Sequence, residues 1–257
     1  MSWKIEPVEG VTVVTMNSNA VNKMNARFFE EFEETMDELD RRDPHRPLVL
    51  TAEGSIFSAG LDFEDVYPRF ERGDLEEVWG WFKTFRGALL RLILTPRRTV
   101  AAINGTALAG GLILAICCDT RVGAEGKAKF ALNEVSIGIP PPGTLAEIIR
   151  HAMGTPAATD AILTGRFYDV PGALSANLLH AAVPAERLLA DAIARAGHLS
   201  KDCAKAYAAA KKAFLHPLTS RLGMEWDATD RASVEIMISP ESRRAMLAAF
   251  EKLKRKS

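Results

Sequence analysis

Three short runs of β-branched and apolar residues, at 11–16, 47–51 and 99–103, most constrain what this chain can fold into. The second and third are apolar through their middles, as strands are when both faces are covered. Between them lie stretches of helical periodicity. The first, at 26–39, sets Phe28, Phe29, Phe32, Met36 and Leu39 on one broad side, and the second spans 74–94. Shorter strand patterns at 120–122 and 129–132 and helical ones at 109–116 and 143–153 continue the alternation. Covered strands alternating with helices predict an α/β fold. After residue 186 no strand pattern occurs. Helices are expected at 186–199, 202–215, 218–237 and 240–254, the last opened by Ser239 as N-cap, Pro240 at N1 and Glu241 in the first turn. The expected organisation is an α/β core over 1–195 followed by an all-helical region over 196–257.

Composition excludes several function classes. A formal net charge of −1 over 257 residues offers no electrostatic footprint for nucleic acid. The longest apolar stretch, 106–118, is too short to span a bilayer. The N-terminal residues show neither a signal-peptide pattern nor a transit-peptide pattern, so a cytoplasmic protein is expected. Cys117, Cys118 and Cys203 lack metal-ligand spacing, and the first two sit in an apolar run as buried thiols. No metal or cofactor is expected, and neither G-x-G-x-x-G nor a P-loop is present. The cluster Lys252, Lys254, Arg255 and Lys256 reads either as a solvated helix end favoured by the helix dipole or as an anion site.

Two glycine-containing turns carry the chemistry. Residues 57–62 (FSAGLD) and 104–112 (NGTALAGGL) each follow a strand and lead into a helix. Such turns leave backbone N–H groups without intrahelical partners. If the two converged, they would make an oxyanion hole for an enolate or tetrahedral intermediate. If not, each glycine serves only tight turning or close packing. Spacing alone leaves both readings open.

These segments resemble the enoyl-CoA hydratase/isomerase (crotonase) superfamily. Residues 55–62 (SIFSAGLD) are similar to its first oxyanion-loop motif, and 102–111 (AINGTALAGG), continuing to Cys118 and Asp119, to its second. Residues 130–134 (FALNE) followed by Gly138-Ile139-Pro140 look like the segment carrying a catalytic glutamate. Residues 163–166 (LTGR), Ala173 and Val183-Pro184 match its downstream signature. The resemblance implies a spiral core of ββα repeats and a C-terminal helical region that oligomerises the chain as a homotrimer or hexamer. It implies an acyl-CoA substrate, no separate cofactor, and a place in lipid metabolism. The thioester oxygen would sit between the N–H groups of Leu61 and Gly110. Ser58, Ala59, Gly60 and Ile113 would border the substrate, and Lys254 would reach the CoA phosphates.

Position 113 narrows the reaction. The hydratases of the family carry two glutamates, one three residues after the second oxyanion glycine and one at the position of Glu134. Here the first position is Ile113. Hydration needs water activated on one side of the double bond and a proton delivered to C2, hence two carboxylates. Shifting a double bond from C3–C4 to C2–C3 needs only one, so the Ile113/Glu134 pair resembles the monofunctional Δ3,Δ2-enoyl-CoA isomerases. Glu134 could instead be a capping or ion-pairing carboxylate. Another acyl-CoA reaction (hydration, thioester hydrolysis, C–C cleavage) and a catalytically silent scaffold remain alternatives. The 139–143 segment (IPPPG) replaces the family's Gly-rich turn near the acyl end. Trp79, Trp81, Phe82 and Phe85 lie where relatives line the acyl pocket, or else pack a helix core. The five histidines show no triad or metal spacing.

Overall fold

The computed structural model describes residues 2–199, 201–220 and 224–254. The chain opens with a hairpin. β1 (Trp3–Val8) runs antiparallel to β2 (Val11–Met16) around Glu9 and Gly10, whose φ values of 49° and 84° are those a tight primed turn requires. Helix α1 (Ala26–Arg42) follows, its Asn25 side chain accepting from Phe28 N. Next come β3 (Leu48–Ala52), β4 (Ile56–Ser58), α2 (Phe63–Arg72) and α3 (Leu75–Leu94). The following unit is β5 (Thr99–Ile103), β6 (Thr106–Leu108) and α4 (Gly110–Ile116), then β7 (Thr120–Ala124), β8 (Phe130–Ala131), α5 (Gly143–Met153) and α6 (Thr155–Thr164). After β9 (Phe167–Tyr168), α7 (Val170–Ser175) and β10 (Ala181–Val183), the described chain is helical: α8 (Leu188–Gly197), α9 (Ala204–Phe214), α10 (His216–Thr219), α11 (Met224–Met237) and α12 (Pro240–Lys254).

Successive strands enter two different sheets, which gives the spiral of ββα turns. One sheet has the order β1-β2-β3-β5-β7-β10, parallel from β2 onward, and the other has the order β4-β6-β8-β9. The period-2 alternation of the first sheet builds two cores. Val11, Val13, Val49, Val100, Ala102 and Val122 face α8, where Ala192 and Ala196 let the helix approach closely. The larger cluster on the other face takes in Val14, Met16, Leu48 and Leu50 together with α1, α3 and α4. Cys117 and Cys118 are buried, and burial pushes both thiols up, Cys118 to about 12. Asp119 at the end of α4 accepts from Thr99 N and Oγ1, Tyr207 Oη and Lys211 Nζ, tying β5 to α9.

The C-terminal helices use much of their apolar surface within the chain. Asp230 on α11, fully buried, accepts from Thr144 N at 2.8 Å and Thr144 Oγ1 at 2.6 Å, capping α5, and pairs with Arg86 of α3 at 2.8 Å. A Cβ at Gly143 would lie 2.8 Å from the Trp226 ring, so α11 sits directly on the start of α5. Met246 is buried and Phe250 packs on Phe63 at 4.9 Å between centroids. Of the apolar residues on these helices, Phe214, Ile236 and Leu247 are exposed, while Trp226, Met246 and Phe250 pack internally. Leu222 and the side chain of Met224 lie outside the described residues. Removing the buried carboxylate leaves Arg86 with the half-exposed Asp227, at 2.7 Å, as its carboxylate partner and takes the cap from the α5 N-terminus, so Asp230→Ala is expected to lower unfolding free energy by about 2 kcal/mol in urea titration.

Several element boundaries differ from the expectations above. The 186–199 helix begins only at Leu188, after a 3₁₀ turn at Ala185–Arg187. The 218–237 helix divides into α10 and α11. The helix that follows residues 57–62 starts at Phe63 behind an Asp62 N-cap, because Leu61 is held in a parallel bridge with Met24. No described helix is long and apolar enough to cross a membrane.

Candidate active site

β4 and β6 are parallel neighbours, with Ile56 paired to Thr106 and Ser58 to Ala107, so the two glycine turns leave the sheet side by side. They touch. A Cβ at Gly60 (φ 91°) would lie 3.1 Å from Leu108 O and 3.5 Å from Gly110 N. One at Gly111 would lie 2.4 Å from Ser58 Oγ and 2.9 Å from Ser58 O. Only glycine permits this approach. Ser58 is fully buried behind the turn, donating to Asn22 O at 2.7 Å and accepting from Gly60 N at 3.1 Å.

The backbone bonds around the turns leave two donors over. Met24 N donates to Gly60 O and Asp62 N to Met24 O, which passes over Leu61 N. Ala109 N donates to Ala131 O, and Gly110 is the first residue of α4, so its N–H has no carbonyl four residues back. Neither Leu61 N nor Gly110 N has an acceptor among the described residues. Ala109 holds φ 47° and ψ −130°, a region that disfavours any residue with a Cβ. Strain of this kind costs about 1–3 kcal/mol and persists where surrounding structure over-determines it, often at a functional turn.

A cavity of 310 Å³ opens on these turns. Its lining includes Ala59, Leu61, Ala109, Gly110 and Ile113, then Leu132 and Glu134, and the aromatic residues Phe70, Trp81, Phe82 and Phe85, with the Phe85 ring 3.4 Å from where a Gly110 Cβ would stand. The aromatic residues interlock, with Trp81 stacked on Phe85 and edge-on to Phe70, both at 6.0 Å. Trp79 is not in the lining; it stacks on Phe82 from behind. Ser58 and Gly60, expected at the substrate, also stand behind the wall and shape it, leaving Ala59 as the lining residue of that trio. The lining residues that sequence alone did not single out include Phe70 and Val66 of α2, Leu145 and Ile149 of α5, Met237 of α11 and Phe250 of α12. The proline run was a usable signal for part of this, since Pro141 and Pro142 form part of the wall.

Glu134 sits at the start of a 3₁₀ turn (Val135–Ile137) whose return is fixed by Ile137 N and Ile139 N donating to the Glu134 carbonyl, each at 3.0 Å. α12 backs this turn: a Cβ at Gly138 would meet Ala245 Cβ at 2.7 Å. Glu134 is half-buried, and no cation is among the described residues that line the cavity. Burial among apolar side chains raises its pKa from 4.5 to about 7, opposed only weakly by its own backbone N–H. Ile113 contributes no polar atom to the lining. No cluster of His, Cys, Asp or Glu with metal-ligand geometry occurs among the described residues. The Lys254 side chain, Arg255 and Lys256 lie outside the described residues.

The strained Ala109 turn, two N–H groups with no acceptor among the described residues and an apolar cavity with one raised carboxyl thus lie together, and such donors can bind an oxyanion. The family model for enoyl-CoA hydratase/isomerase matches residues 6–256, and the chain belongs to that family. It is 32% identical to the mitochondrial enoyl-CoA delta isomerase 1 of Rattus norvegicus over 181 residues, 70% of this chain and 61% of that protein. It is 31% identical over 223 residues to a protein of Mycobacterium bovis named as a probable enoyl-CoA hydratase, covering 85% of this chain and 82% of the relative. The fold superposes on the crystal structure of human mitochondrial Δ3-Δ2-enoyl-CoA isomerase with a TM-score of 0.91 at 27% identity, covering 100% of both chains. Isomerases and hydratases thus both stand among its relatives.

Proposed function

We propose that this enzyme is a Δ3,Δ2-enoyl-CoA isomerase, with Glu134 as its single proton shuttle. The observation that carries the reading is the pairing of one high-pKa carboxyl with Ile113 in a cavity with no second acid among the described residues that line it. The thioester oxygen of a 3-enoyl-CoA accepts from Leu61 N–H and Gly110 N–H, which acidifies C2 by stabilising the dienolate. The Glu134 carboxylate takes the C2 proton and returns it to C4, leaving the conjugated 2-enoyl-CoA. The acyl chain extends toward Phe70, Trp81, Phe82 and Phe85, whose apolar surface suits it. Hydration would need a second carboxylate to direct water at C3, and Ile113 cannot supply one. CoA is part of the substrate, so no separate cofactor is required. Assembly into trimers belongs to the same proposal and is supported by the exposed Phe214, Ile236 and Leu247, as does a role for Lys254 at the CoA phosphates.

The pKa of Glu134 sets the pH dependence. A base must be ionised to work, so kcat/KM is expected to rise tenfold per pH unit below about 7 and level off above it. A pH–rate profile already flat from pH 5 would show that another group takes the proton.

A further inference from the structure

A second cavity, of 470 Å³, lies away from the candidate active site, and no residue lines both. It sits where the parallel strands begin: Gly10 precedes β2, Pro47 precedes β3 and Arg98 precedes β5. The end of α8 and the start of α9 close it on the other side. Four cations, Arg46, Arg98, Lys201 and Lys205, face two carboxylates, Glu9 and Asp43.

Arg98 is the informative member. Only 7% of it is exposed, and it is held in place by Nη1 donating to Ala196 O at 2.7 Å, with His198 Nδ1 at 3.2 Å and the Tyr207 ring 5.1 Å away. Its Nε–H, on the edge a guanidinium uses to grip an oxyanion bidentately, is buried with no acceptor among the described residues. Arg46 and His45 line the same cavity, and Arg46 Nε and His45 Nδ1 are likewise buried without a partner among the described residues. Buried donors are almost always satisfied, and the orphaned Nε–H groups of Arg98 and Arg46 belong to residues of one cationic cavity, where one anion could answer both.

We propose that this cavity is a binding site for a small phosphate-bearing anion, gripped by the free edge of Arg98 and by Arg46, with Lys201 and Lys205 balancing its second charge. A dianion matches the excess of two cations; a monocarboxylate leaves the excess half neutralised. The site is independent of the isomerase reading, since it shares none of that cavity's residues.

The test is isothermal titration of the full chain with inorganic phosphate, and separately with acetate, at low ionic strength. Saturable phosphate binding near one site per chain is expected, with acetate at least tenfold weaker. Arg46→Gln should weaken phosphate about tenfold or more, because charge-assisted hydrogen bonds are lost. Arg98→Lys, which keeps the charge and removes the fork, should do the same. If Arg98→Lys does not fold, the Arg46→Gln result decides. Equal affinity in wild type and Arg46→Gln (an adventitious ion only), absence of saturation at millimolar phosphate, or acetate binding as tightly as phosphate would each overturn the site.

Discussion

Glu134→Gln is expected to lower the turnover of a 3-enoyl-CoA by about 10²–10⁴-fold, the ordinary loss when a positioned general base is removed. The amide keeps the size of the carboxyl, and the Leu61 and Gly110 donors are backbone groups the substitution does not touch. KM for the CoA ester should therefore change little while kcat collapses, the pattern of an interaction made only in the transition state. The same variant has a stability signature of opposite sign. Folding raises the Glu134 pKa from 4.5 to about 7, so the folded protein holds this proton more tightly than the unfolded chain does. The stability that goes with the protonated side chain is fully present below pH 4.5 and is lost as pH rises through about 7. The substituted amide cannot ionise, so the variant should match wild type at about pH 4.5 and exceed it at about pH 8 by about 1–2 kcal/mol, allowing for partial solvent access. Loss of turnover with gain of stability at the higher pH is hard to obtain from a carboxylate that only caps a turn. A cap lost from the 3₁₀ turn would lower stability at both pH values.

Gly111→Ala is expected to be nearly as damaging, for a geometric reason. The new methyl would fall 2.4 Å from Ser58 Oγ and 2.5 Å from Ser58 Cβ, so the turns after β4 and β6 must part. A displacement of about 1 Å at a reacting centre costs on the order of 10²-fold, and both donors of the proposed oxyanion hole ride on these turns. The expected result is a loss of about 10² in kcat/KM, with about 1–3 kcal/mol of overpacking destabilisation. Ser58→Gly in the same chain removes the Oγ and Cβ contacts and leaves the carbonyl at 2.9 Å. It should recover part of the lost activity, and the pair should be strongly non-additive in a double-mutant cycle. Additive losses would show that the two turns do not act as one unit.

How much of this was legible in the sequence depended on how local each cause is. The runs at Val11–Met16 and Thr99–Ile103 announced themselves because buried parallel strands must be apolar on both faces. The edge strand Trp3–Val8 announces itself less plainly, as an acidic-apolar pattern, because its residues are mostly exposed or partly exposed and include Glu6 and a proline that only an edge tolerates. Strands of two or three residues, such as Thr106–Leu108 and Phe167–Tyr168, are too short to show periodicity. The site divided along the same line. Glu134, Leu61, Gly110 and Ile113 could be named from motifs. That the two turns touch rests on pairing between residues about 50 apart, β4 with β6, which no local pattern encodes. The part of the lining supplied by Phe70, Ile149, Met237 and Phe250, from four helices, is likewise a product of packing.

The most direct test is to incubate the protein separately with a 3-enoyl-CoA and a 2-enoyl-CoA and follow the absorbance of the conjugated thioester. The isomerase reading requires that absorbance to appear from the 3-enoyl ester and to persist in the 2-enoyl ester. Rapid loss from the 2-enoyl ester, with the 3-hydroxyacyl product accumulating, would show that Ile113 does not prevent hydration and would contradict the single-carboxylate mechanism.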